Sequence, residues 1–138
     1  YAARAGTATK YYFGNDASSI CSYGNVSDAA GKGTYGFVKY ANCDDGADFT
    51  TVVGSYMPNA FGLYDMVGNV FEWTEDCNHE TYDGAPSNGS AWVTGECKGR
   101  VLRGGSWNIR PTWARSADRS WDGPAHRRAN GGFRIAQD

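Results

Sequence analysis

Several things are missing from this sequence, and each absence removes a class of protein. No run of about 18 apolar residues occurs, so no membrane-spanning helix is expected. No charged-then-apolar leader opens the chain, so no signal peptide is visible. Helical apolar periodicity never lasts beyond about two turns, which excludes a helix bundle. The four cysteines contain no CxxC pair, which argues against a zinc site or a thioredoxin-type redox centre. There are only two histidines, His79 and His126, far apart in the chain. No Ser-His-Asp order, phosphate loop or obvious carboxylate dyad is present. Excess positive charge is lacking too, with 13 Lys and Arg against 15 Asp and Glu and a net charge of −2. General attraction to nucleic acid is therefore not expected, although nine of the thirteen cations lie from Lys98 onward.

What is present is 138 residues, the size of one domain with a single core. The first residue is Tyr1 rather than methionine, as expected of a fragment. Nineteen glycines, with many Asn, Asp and Ser, predict a loop-rich fold. Its core must be aromatic, because 14% of residues are Phe, Trp or Tyr and each buries a large area. Two disulfides are expected among Cys21, Cys43, Cys77 and Cys97, preferably in the local pairing Cys21–Cys43 with Cys77–Cys97. Four buried free thiols are the alternative. Such bridges favour a surface or extracytoplasmic location. Asn25-Val26-Ser27 and Asn88-Gly89-Ser90 are weak glycosylation sequons.

Along the chain, residues 1–12 read as the end of a helix stopped by Gly6, followed by a strand over 9–13. A loop is expected over 15–33, a short extended piece over 35–42, and a strand over 50–56 ended by Pro58. A polar loop covers 75–99. Val101-Leu102 reads as a short buried strand, Gly104-Gly105 as a positive-φ turn or close backbone approach, and 132–136 as a last short strand.

The organising stretch is Asn59–Thr74, NAFGLYDMVGNVFEWT, crowded with aromatic residues around Asp65 and Glu72. It predicts a helical turn over 63–67, a Gly68-Asn69 turn and an extended piece over 70–74. Carboxylates in apolar surroundings need a partner. Either they join freed backbone carbonyls in an oxygen cage for a hard cation such as calcium, or Asp65 caps the turn and Glu72 pairs with a later arginine. Asp44-Asp45-Gly46-Ala47-Asp48 is a second candidate cage, with Asn25 as a distant contributor. It is not an EF-hand, because no Glu stands at the twelfth loop position. Arg103, Arg115, Arg119 and Arg134, at the edges of apolar pieces, are expected to pair with carboxylates.

NAFGLYDMVGNVFEWT, then RVLRGGSW and finally GFRIA, resemble in order the signature of the formylglycine-generating-enzyme family, the sulfatase-modifying-factor domain, and YAARAG resembles its mid-domain helix. The resemblance implies an α+β, C-type-lectin-like fold, loop-rich with small antiparallel sheets and short helices. It implies one domain over 1–138 that forms the C-terminal part of a longer family domain. It also implies two structural calcium sites: Asp65, Gly68, Val70 and Glu72 at one, and Asn25, Val26, Asp45 and Ala47 at the other. Gly68, Val70, Val26 and Ala47 would contribute carbonyls.

The oxidases of the family work through two cysteines five residues apart, and the matching positions here are Pro111 and Ser116. A hydroxyl is a poor ligand for cuprous ion, so copper chemistry is not expected. A second branch holds iron with three clustered histidines, which this chain lacks, so iron is not expected either. Its last third resembles instead the variable proteins of diversity-generating retroelements, where adenine mutagenesis rewrites asparagine-rich positions between fixed frame residues. Residues 108–131 are then the candidate variable region. Ile109, Arg110, Thr112, Trp113, Asp118, Ser120, Trp121, Asp122, His126, Arg128 and Asn130 are its candidate ligand-binding side chains, facing a protein or glycan. A lectin whose calcium touches sugar is less favoured, since no Glu-Pro-Asn or Gln-Pro-Asp occurs. The competing expectation is an oxidase, or an inactive paralogue, acting on a partner protein's cysteine.

Overall fold

The computed structural model describes residues 1–31 and 39–136. Regular structure is sparse among them, as the glycine-rich composition implies. Two 3-10 turns, Ile20–Ser22 and Pro111–Trp113, accompany four strands: β1 (Phe71–Cys77), β2 (Arg100–Arg103), β3 (Ser120–Asp122) and β4 (Gly131–Gly132). The strands form one sheet in the order β3-β2-β1-β4. β2 runs antiparallel to both β1 and β3, while β4 is parallel to β1, so the sheet is mixed rather than antiparallel throughout. The C-type-lectin-like α+β class holds.

This topology has a consequence for function. β3 and β4 are successive in the chain but lie at opposite edges of the sheet. The connection 123–130 therefore crosses β2 and β1, and it brings His126, Arg127 and Arg128 with it.

The core is mixed rather than aromatic as expected: Tyr11, Tyr12 and Phe71 are its buried rings, beside the aliphatic Ile20, Val26, Val67, Val101 and Leu102, and Trp113 and Trp121 are exposed. Tyr11, Tyr12, Ile20, Val26, Ala41, Val67 and Ala114 are buried together, with Phe13, Tyr23 and Met66 packed against them. Phe13 stacks on Tyr23 at 4.2 Å and on Tyr11 at 5.0 Å. The buried tyrosine hydroxyls are not stranded, because Tyr12 donates to the Met57 carbonyl at 2.6 Å and Tyr11 to the Pro111 carbonyl at 3.0 Å. Both disulfides form in the expected local pairing, Cys21–Cys43 and Cys77–Cys97.

Several local expectations are corrected. The helical turn at 63–67 is absent, because Asp65 adopts φ +56°. The strand at 50–56 is absent as well. Its amides are taken by side chains from the organising stretch: Thr51 N–H donates to Asn69 Oδ1 and Gly54 N–H to Asp65 Oδ2, leaving Val52 and Val53 each 78% exposed. Residues 1–6 make a turn closed by Ala5 and Gly6 at positive φ, and the strand at 9–13 shrinks to a bridge between Tyr11 and Gly14. The 15–33 loop contains the turn Ile20–Ser22 and helical geometry at 29–31. The piece at 35–42 falls mostly outside the described residues, and 39–42 is irregular. β1 runs three residues past Thr74, into the expected loop. The last strand stops at Gly132, leaving Phe133 and Ile135 76% and 85% exposed.

Of the four frame arginines, Arg134 pairs with Glu72 and Arg115 with Asp118. Arg103 and Arg119 bond carbonyls instead, those of Ser116 and His79. Val101 and Leu102 are buried as expected, and Gly104 and Gly105 both have positive φ. A Cβ on Gly105 would also stand 2.8 Å from that of Ala114, so turn and close approach coincide there.

Candidate functional site

Side chains on paired strands share a face when they are register partners. Trp73 of β1 faces Leu102 of β2, and Leu102 faces Ser120 of β3, so the three make one row across the sheet. Phe71 and Asp122, two residues along from Trp73 and Ser120, continue that face. The crossing connection and the residues after β2 wall it in. The result is a cavity of about 580 Å³ lined by Phe71, Trp73, Leu102, Ile109, Trp113, Ser120, Trp121, Asp122, His126, Arg127, Arg128, Asn130, Gly131, Gly132 and Phe133.

Eight of the eleven expected ligand-binding residues converge there: Ile109, Trp113, Ser120, Trp121, Asp122, His126, Arg128 and Asn130. Arg110 and Thr112 line a neighbouring hollow of about 530 Å³ on the other side of the Pro111–Trp113 turn. The Arg110 guanidinium lies 4.1 Å over the Trp113 ring, joining the two hollows. Asp118 stands apart, paired with Arg115 at 3.0 Å.

Trp113 and Trp121 are 45% and 55% exposed, an outward presentation that suits contact with a partner. Asp122 differs from the rest. It is only 6% exposed, and its carboxylate is held by His126 Nδ1, Arg128 Nε and the Gly123 amide. Burial acts to raise the Asp122 pKa, but the hydrogen bonds from His126 and Gly123 and the charge of Arg128 outweigh it and hold the carboxyl below the usual carboxylate range. Asn130 is anchored from behind, its amide donating to Asn108 Oδ1 at 2.9 Å and its carbonyl accepting from Phe71 N–H at 2.8 Å.

Arg127, Phe133, Phe71, Trp73 and Leu102 are cavity residues that sequence reasoning misses. The strand pairing at Val101-Leu102 could have placed Leu102 and Trp73. Neighbouring arginines in an irregular connection carry no periodicity that tells which one turns inward.

The two positions matched to the family's cysteines offer no thiol. Pro111 is buried in its 3-10 turn, and Ser116 is fixed by its backbone, its N–H donating to the Lys10 carbonyl and its carbonyl accepting from the Arg103 guanidinium. All four cysteines of the chain are engaged in the two disulfides. His79 is stacked on Trp92 at 3.6 Å and bonds the carbonyls of Cys77 and Thr94, whereas His126 serves Asp122. The two histidines do not form a cluster.

The profile of the FGE-sulfatase family, the sulfatase-modifying factor enzyme 1-like domain, matches residues 1–138. The chain belongs to this family. It is 35% identical over 141 aligned residues to the formylglycine-generating enzyme of Streptomyces coelicolor, covering 100% of this chain and 44% of that enzyme. PvdO from Pseudomonas aeruginosa is 41% identical and superposes with a TM-score of 0.81, over 96% of this chain and 47% of PvdO. Variable protein 1 of Treponema denticola is 27% identical with a TM-score of 0.73, over 96% of this chain and 42% of that protein. The chain thus spans less than half the length of each. The family includes catalysts, among them formylglycine-generating enzymes and hercynine oxygenases.

A sulfatase-modifying-factor domain implies calcium, and the donors here fit a hard cation. Asp65, Gly68, Val70 and Glu72 line one hollow of about 290 Å³ with Val53, Asn69, Phe133 and Arg134. Asp65 Oδ2 accepts from Gly54, but Oδ1 is buried with no partner. Glu72 is engaged by Arg134 at 2.7 Å, so the arginine partner foreseen for it is present alongside the oxygen donors.

At the other site Asn25 is fully buried, which removes it as a glycan acceptor, and its Oδ1 also lacks a partner. The Asp45 carboxylate accepts from Val26 N–H at 2.8 Å and Ala47 N–H at 3.0 Å. Burial, reinforced by Asp28 and Asp44, pushes Asp45 up to about 6 despite those two bonds. Each site thus holds one buried oxygen without a hydrogen-bond partner, a donor that a hard cation could use. Cys21, Asp28 and Asp45 also bring ligand atoms within 4.8 Å of one another. The Cys21 sulfur is bound to Cys43, however, so only the carboxylates of that group are of use to an ion.

Proposed function

We propose that this domain is a non-catalytic ligand-binding module that displays a variable surface on a C-type-lectin-like scaffold. Its ligand is a group on a protein or glycan. The observation that carries this reading is the convergence of Ile109, Trp113, Ser120, Trp121, Asp122, His126, Arg128 and Asn130, chosen as changeable positions, on one cavity floored by Trp73 and Leu102. Aromatic and arginine side chains around such a hollow are the types that dominate binding energy. The likeness to Treponema denticola variable protein 1 supports the same reading. Having every cysteine in a disulfide argues against thiol-dependent oxidation by this chain.

Calcium at the Asp65 and Asn25 sites acts structurally, tying the organising stretch to the 44–48 loop. The disulfides suit an oxidising, extracytoplasmic compartment. Among the described residues no helix is long and apolar enough to cross a membrane. Residues 108–131 act as the variable part of a domain whose other half precedes them in a longer protein.

The test is a glycan and peptide array probed with the chain and with its Trp113→Ala/Trp121→Ala variant. Signals that disappear in the variant while its melting temperature holds support the module. Copper-dependent conversion of a cysteine peptide to an aldehyde by this chain would overturn it in favour of an oxidase.

A further inference from the structure

Taking the cavity as the ligand site, we infer that its ligand presents one anionic group, such as a carboxylate, sulfate or phosphate, on a flat apolar body, and that Arg127 is the counter-ion. The charged groups lining the cavity are Asp122, Arg127 and Arg128, together with His126. Asp122 is covered by His126 and Arg128, which leaves it little reach toward an incoming cation. Arg128 gives its Nε–H to the same clasp, so its charge is set against that of Asp122. Arg127 is left over: among the described residues it makes no ion pair and no side-chain hydrogen bond, yet it lines the hollow. Two arginines against one carboxylate give the cavity a formal charge of +1 with His126 neutral.

The rest of the lining is apolar and largely planar. Phe71, Trp73, Trp113, Trp121 and Phe133 surround the space, with Ile109 and Leu102 filling between them. The exposed Arg127 guanidinium stands beside this apolar wall, and the group that best pairs with it is an oxyanion taken up through two parallel hydrogen bonds. Aromatic faces beside it accept a flat ring or sugar face through stacking and burial. A cationic ligand would face Arg127 and find no open carboxylate.

The experiment is calorimetric titration of the intact chain at low ionic strength with 2-naphthoate, 2-naphthamide and 2-naphthylmethylammonium. These probes share a ring system and differ in charge. Naphthoate is expected to bind about tenfold more tightly than the amide, and the ammonium more weakly than either. Arg127→Gln should abolish the difference between naphthoate and amide while leaving amide affinity unchanged, and Arg127→Lys should restore part of it. Because Arg127 is exposed and unpaired, neither variant threatens folding. Equal binding of all three probes, or a preference for the ammonium, overturns the inference while the cavity remains a ligand site. If none of the three binds at millimolar concentration, the cavity reading falls and takes the inference with it.

Discussion

Gly68 shows how much a single position can determine. Its φ is +77°, and a Cβ there would stand 1.9 Å from the Asn25 carbonyl oxygen. Asn69 N–H donates to that same oxygen at 2.7 Å, and Gly68 N–H to the Gly104 carbonyl at 2.8 Å. One glycine thus lets the two proposed calcium sites share a backbone contact. Gly68→Ala is expected to cost more than about 2 kcal/mol in urea unfolding, from strain and from separation of the two chains. Asp45 makes a second residue-scale prediction. Its folded pKa of about 6 lies above the ordinary carboxylate value, so the folded state holds the proton more tightly. With calcium chelated, its contribution is fully present below about pH 4 and is lost as pH rises through about 6. The stability difference between wild type and Asp45→Asn should therefore shift against the wild type across that window. A flat difference would contradict the burial of this carboxyl. At this scale the family resemblance grouped residues that local chemistry alone would not. Asp65, Gly68, Val70 and Glu72 do line one hollow, whereas the burial of Asp122 depends on His126 and Arg128 folding back over it.

Among elements, the disulfides and the crossing connection matter most. Cys77–Cys97 closes a loop with a sequence separation of 20 residues that contributes no residue to the cavity lining. Replacing both cysteines by serine should cost about 3 kcal/mol by the loop-entropy argument. It should leave naphthoate binding unchanged, and loss of binding would mean that the loop supports the cavity. The elements that sequence reasoning missed share one cause. Residues 50–56 carry the β-branched pattern of a strand, but Asp65 and Asn69 capture the amides of Gly54 and Thr51. No local pattern records that capture. β4 is short for a related reason: Arg134 turns to Glu72 and to the Tyr64 carbonyl rather than continuing the ladder. Val101-Leu102 was legible because a short buried run between turn signals has few other solutions.

The whole molecule divides into a frame and a face. The frame consists of the mixed aliphatic and tyrosine core, the two disulfides, the row Trp73–Leu102–Ser120 and the proposed oxygen cages. Chelation should loosen it everywhere: if calcium is held at about a hundred times its dissociation constant, its removal should lower Tm by about 10 °C for each occupied site and about 20 °C for both. Unchanged melting would leave Asp65 Oδ1 and Asn25 Oδ1 without an explanation. The face is the set of cavity side chains carried by 109–130. The measurement that bears most directly on this division is the thermal unfolding of a chain in which Ile109, Thr112, Trp113 and Trp121 are all replaced by serine, leaving the Asp122 clasp in place. A replaceable face predicts a cooperative transition and a total loss of about 3 kcal/mol or less, comparable to the single core substitution Ile20→Ala. A variant that does not fold, or loses several times that amount, would show that these side chains are core and that the surface is not a ligand-binding face.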